Sequence, residues 1–88
     1  MKKITLDARK MNTRENAHEY LAKKCGFPDY YGKNLDAAYD CLTSMADTEI
    51  TIKYAQSLEE NLSEYGKKIL SVFSDAADNN SGLHVIVK

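Results

Sequence analysis

The sequence is sparing with the residues that mark several protein classes. It has two cysteines, one proline and four glycines. No apolar run approaches the roughly 18 residues that span a bilayer, so no membrane association is expected. Cys25 and Cys41 allow at most one bridge, which excludes a disulfide scaffold. With no Cys-x-x-Cys, they read as reduced, small apolar residues of a cytoplasmic protein. Glycine-rich phosphate loops, His-Glu-x-x-His and zinc spacings are absent. The start, Met1-Lys2-Lys3, lacks the apolar stretch of a signal peptide because Asp7, Arg9 and Lys10 interrupt it. Net charge is also scarce: −1 at pH 7, with a pI near 6.1. A chain without an overall basic field is not a coat for nucleic acid, and no direct nucleic-acid contact is expected.

What is present fits one soluble globular domain over residues 1–88, with 43% hydrophobic and 28% charged residues. A chain this short buries only about 60–65% of the surface it exposes unfolded. Residues 3–7 alternate apolar and polar and read as a strand. Asn12 and Glu15 stand in capping-box register for a helix whose stripe is Ala17, Tyr20, Leu21 and Cys25, with Gly26 as its stop. Pro28 ends that element. Gly32 reads as a positive-φ position and Asn34 as the next N-cap. Leu35, Ala38, Leu42 and Met45 follow on one helical face. A strand is expected over 49–54 and a short helix over 57–65, with Ser57 and Glu60 as its capping box and Gly66 as its break. A further helix is expected over 67–79, and a strand covered on both faces over 83–87. Strands joined by helices predict an α/β fold: a small three-stranded parallel sheet with about four flanking helices and right-handed crossovers.

The small net charge conceals a division. Residues 1–27 carry seven basic and three acidic side chains; residues 28–49 carry Lys33 against five acids. The acidic block holds Tyr30, Tyr31, Tyr39, Asp29, Asp36 and Asp40 around one loop–helix junction. Asp36 falls in a first helical turn, where the dipole favours a carboxylate. Asp40 lies four residues on, where a second like charge on a helix costs a few tenths of a kcal/mol. Local folding does not explain Asp40, which makes it a candidate for function. Such a face can be a solvated surface, two ligands of a divalent metal, a general acid–base pair or a protein-binding surface. In the last case spaced carboxylates imitate phosphates and pair with a basic partner. For the Tyr30–Tyr31 pair, the sequence leaves open which ring packs inward. His18 and His84 read as structural rather than catalytic.

The stretch FPDYYGKNLDAAYDCLTSM, residues 27–45, resembles the barstar family, intracellular inhibitors of secreted barnase-type bacterial ribonucleases. The VFSDA stretch at 72–76 and the apolar last strand extend the resemblance over essentially the whole chain. It implies a barstar-like fold and a non-enzymatic, cofactor-free and metal-free role. The second helix and the loop before it would plug a ribonuclease active site. Asp40 would enter the phosphate pocket, with Asp36 directed at basic groups on its edge. Tyr30 and Tyr31 match the aromatic pair, Gly32 and Asn34 the loop contacts, and Tyr39 and Thr43 the same face. Asp75 falls where the family places another acid.

The chain departs from the family at Tyr39 and Met45, which replace tryptophans, at Asn79, which replaces a glutamate, and at Lys33, which replaces an acid. The expected partner is a basic secreted ribonuclease, bound one-to-one by a cytoplasmic monomer. The alternative is an interaction or regulatory module of the same fold that binds a different basic protein.

Overall fold

A computed structural model describes all residues from Met1 to Lys88. The order is β1 (Lys2–Asp7), a short 3-10 turn (Ala8–Lys10), α1 (Arg14–Cys25), α2 (Leu35–Thr43), β2 (Thr48–Lys53), α3 (Gln56–Leu62), α4 (Glu64–Asp78) and β3 (Leu83–Val87). The three strands form one parallel sheet in the order β1-β2-β3, as the alternation of strands and helices predicts.

Register follows the side-chain alternation. Ile4, Ile50 and Val85 form one row and Leu6, Ile52 and Val87 the next. Ile4, Leu6, Ile50 and Ile52 are buried beneath the helices. The opposite row of Lys3, Glu49 and His84 faces outward, with Lys3 and His84 exposed. With parallel strands in sequential order, crossovers of one hand put every helix on one face of the sheet, the face of Ile4, Leu6, Ile50 and Ile52. That geometry corrects the expectation for residues 83–87. Leu83 is buried, but Ile86 is 39% exposed on the face that no helix covers, and Val87, though in the row of Leu6 and Ile52, is 54% exposed at the end of the edge strand.

The core is one cluster joining these strands to Ala17, Leu21 and Cys25 of α1, Leu42 of α2, Leu58 of α3 and Ile69, Phe73 and Ala76 of α4. No helix is long and apolar enough to cross a membrane.

Several boundaries move from their predicted places. The N-cap of α1 is Thr13, not Asn12: its Oγ1 accepts from the Asn16 amide at 3.0 Å. Asn16, rather than Glu15, reaches back to accept from the Asn12 amide at 2.8 Å. Ser57 does not cap α3, which starts at Gln56 with no side-chain cap. The chain turns at Tyr54, φ 58°, and the Tyr54 carbonyl accepts from the Ser57 amide at 2.9 Å. The break between α3 and α4 lies at Ser63, φ 52°. Gly66 sits buried inside α4, where an added Cβ would overlap the Leu58 carbonyl of α3. It permits close helix packing rather than ending a helix.

Candidate functional site

The acidic block folds into the loop after α1 and into α2. Gly26 ends α1 in the left-handed conformation, φ 69°, as its position predicts. The chain then passes through Phe27 and Pro28 and turns back, with the Tyr31 amide donating to the Pro28 carbonyl at 2.9 Å. This turn separates the tyrosine pair. Tyr30 is 89% exposed, while Tyr31 is 8% exposed and packs on Phe27 with ring centroids 4.8 Å apart. The Tyr31 side chain therefore belongs to the support of the loop rather than to its outer surface.

His18 supplies much of that support. It is buried on α1, with Nδ1 2.7 Å from the Tyr31 hydroxyl and Nε2 2.6 Å from the Tyr65 hydroxyl. A neutral imidazole donates through one nitrogen and accepts through the other, so one tyrosine accepts and the other donates. Burial lowers the His18 pKa from its ordinary value and raises that of Tyr31. Arg14 stacks over the Tyr65 ring, 4.3 Å from its centroid. The network ties α1, α4 and the loop together from beneath Tyr30.

Asn34 and Asn80 fix α2 at its two ends. Asn34 Oδ1 accepts from the Ala37 amide at 2.7 Å, and its Nδ2 donates to the Gly32 carbonyl at 3.2 Å. Gly32 is not at positive φ; Lys33 holds that conformation instead, φ 51°. Gly32 provides room, since a Cβ there would press on Asn34 Nδ2 at 3.2 Å. At the other end Asn80 Nδ2 donates to the carbonyls of Leu42, at 3.0 Å, and Met45, at 2.8 Å. The role of Asn80 is invisible in the sequence beyond its place in a turn.

Along α2 the side chains divide by period. Ala38 and Leu42 are buried, Leu35 and Tyr39 pack at the edge of the core, and Asp36 and Asp40 are exposed. Thr43, half-buried, turns its hydroxyl back to donate to the Tyr39 and Asp40 carbonyls at 2.9 and 3.1 Å. Tyr30 and Asp40 line one groove of about 310 Å³ with Phe27, Pro28, Cys41 and Met45. Cys25 lies at its base, its thiol pushed up by burial to about 12; burial also raises Cys41. Both thiols are free.

The ion pairs of the molecule lie elsewhere, at Asp7–Arg9, at Lys67 with Glu59 and Glu64, and at the N-terminus with Asp47. Asp29, Asp36, Asp40 and Asp75 have no such partner. No group of three or more His, Cys, Asp or Glu side chains gathers as a metal cage. Asp75 is exposed on α4, the helix against which α2 packs, and no hydrogen bond or ion pair connects it to the acids of α2.

This fold and acidic helix define a class, and comparison with known proteins agrees. The family described as Barstar (barnase inhibitor) matches residues 1–88. The chain belongs to the barstar family. A Bacillus subtilis (strain 168) protein named "Putative ribonuclease inhibitor YrdF" is 39% identical over 80 residues, covering 89% of this chain and 88% of that protein.

Proposed function

We propose that this chain is an intracellular inhibitor of a barnase-type bacterial ribonuclease. It acts without catalysis or cofactor, as a monomer in a 1:1 complex in the cytoplasm of the cell that makes the enzyme. The observation that carries this reading is the pair of exposed, unpartnered carboxylates of Asp36 and Asp40 on α2, with Asp40 sharing a groove with Tyr30, in a chain of the barstar family.

A ribonuclease must present positive groups where RNA phosphates sit. Asp40, sharing a groove with Tyr30, enters that pocket and meets those groups; Asp36 meets others at its edge. The exposed Tyr30 ring covers the pocket mouth and sheds water there, as rigid aromatics do at interfaces. Gly32 and Asn34 set the approach of the loop, Tyr39 and Thr43 complete the α2 face, and Tyr31 holds the loop from below. Asp75 adds long-range attraction, which acts mainly on association rate. No bond is made or broken: the carboxylates occupy the place of the substrate's phosphates.

The test is to titrate RNA cleavage by a panel of barnase-type ribonucleases, barnase included, with the purified chain. Stoichiometric inhibition that weakens with salt supports the reading. No inhibition across the panel contradicts it and favours a module of the same fold directed at another basic protein.

A further inference from the structure

Asp40 stands in the last turn of α2, and a helix of nine residues is marginal by itself. Contacts from elsewhere in the fold therefore determine where this turn lies. The chain leaves α2 through Ser44 in the right-handed conformation, without the left-handed cap that closes α1, and the last turn holds no basic residue. Thr43 and Ser44 turn their hydroxyls back to the Tyr39 and Asp40 carbonyls. The carbonyls just beyond Asp40 take a donor from outside the helix.

That donor is Asn80, in the turn between α4 and β3. Its Nδ2 donates one hydrogen to the Leu42 carbonyl at 3.0 Å and the other to the Met45 carbonyl at 2.8 Å. Its Oδ1 accepts from the Gly82 amide, and its own carbonyl accepts from the Leu83 amide at the start of β3, both at 3.0 Å. The Gly82 carbonyl accepts from the Thr48 amide, where β2 begins, at 2.8 Å. One side chain thus ties the end of α2 to the sheet, with every polar atom of its amide in use. The donor is also neutral. Lysine or arginine commonly serves the carbonyls at a helix end, but beside Asp40 a cation would pair with the carboxylate and reduce the charge offered to a basic partner. Asn80 serves them and leaves Asp40 unpaired.

We infer that Asn80 is a positioning residue for inhibition: by fastening the last turn of α2 to the start of β3, it sets where the Asp40 carboxylate stands. The inference rests on the proposed inhibition and deepens it. Asn80 acts through Asp40, not through contact with the enzyme.

The experiment is a double-mutant cycle between Asn80→Ala and Asp40→Ala, with Kd measured against a barnase-type ribonuclease from the panel that the chain inhibits. Circular dichroism first establishes that each variant is folded. Asn80→Ala should weaken binding about fivefold to tenfold when Asp40 is present and less than about twofold when Asp40 is replaced. A direct contact of Asn80 with the enzyme, or a general loosening of the fold, acts alike in both backgrounds, so equal losses overturn the inference. Unchanged binding by Asn80→Ala overturns it too. If Asn80→Ala is unfolded, Asn80→Gln, which keeps the amide on a longer arm, takes its place in the cycle with the same reading. Unfolding of both makes Asn80 a folding residue and overturns the positioning role. Absence of inhibition by the native chain across the whole panel overturns the proposed function and this inference together.

Discussion

His18 Nδ1 lies 2.7 Å from the Tyr31 hydroxyl, and Tyr31 directly follows the most exposed aromatic ring of the chain, Tyr30. A buried imidazole on α1 thus determines where the outward ring of the loop stands. Its second nitrogen binds Tyr65 of α4, so the loop shares its anchor with the core.

This anchor makes stability depend on pH. Burial holds the folded His18 pKa below its ordinary value of 6.5. The unfolded chain takes up this proton first as pH falls, so stability is complete above about pH 7 and declines as pH drops through about 6.5. The decline levels off once folded His18 is also protonated. Urea midpoints between pH 7.5 and 5 should show the fall, and His18→Gln should flatten it. His18→Leu leaves two tyrosine hydroxyls without a partner, costing about 1–3 kcal/mol for each. An unchanged midpoint across this range in the native chain would contradict the role of His18.

Gly66 is a packing position, and its substitution should be severe. Gly66→Ala places a methyl against the Leu58 carbonyl, so α3 and α4 must separate. Overpacking of this kind costs about 1–3 kcal/mol and more where backbone has to move. Urea unfolding should show a loss in this range. By helix propensity alone, alanine would stabilise by about 1 kcal/mol, so the sign of the change distinguishes the two.

Asp40 should be unfavourable to the folded helix. It has no ion pair, stands mid-helix, and lies four residues from Asp36. Asp40→Ala relieves a like-charge pair and improves propensity, gains of about 0.2–0.5 and 0.5–0.7 kcal/mol. Chemical denaturation should therefore give a slightly more stable protein. A loss of stability would mean that Asp40 has a structural role instead.

Much of the candidate site's local geometry was legible in sequence because local chemistry determines it. Asn34 is an N-cap wherever a helix follows it, and Gly26 stops α1 through its own backbone freedom. The spacing of Asp36 and Asp40 puts them on one face in any helix. What escaped depends on contacts distant in sequence. Tyr30 and Tyr31 are chemically equal until His18 and Tyr65 claim one of them. Gly66 reads as a break until α3 is laid against α4. The apolar run at 83–87 suits a strand covered on both faces, and only the packing of all the helices on one face leaves Ile86 exposed. The loop shows the same dependence: Gly32 leaves space for the Asn34 side chain, while the left-handed turn falls on Lys33.

The most direct measurement compares the native chain, Asp40→Ala and Asp75→Ala as inhibitors of one barnase-type ribonuclease at fixed ionic strength. Truncating one member of a buried, hydrogen-bonded charge pair costs about 2–5 kcal/mol, so Asp40→Ala should weaken inhibition about 30-fold or more. Asp75→Ala, at an exposed position on α4, should change it less than about fivefold. Equal inhibition by the native chain and Asp40→Ala would contradict the assignment of α2 as the inhibitory face.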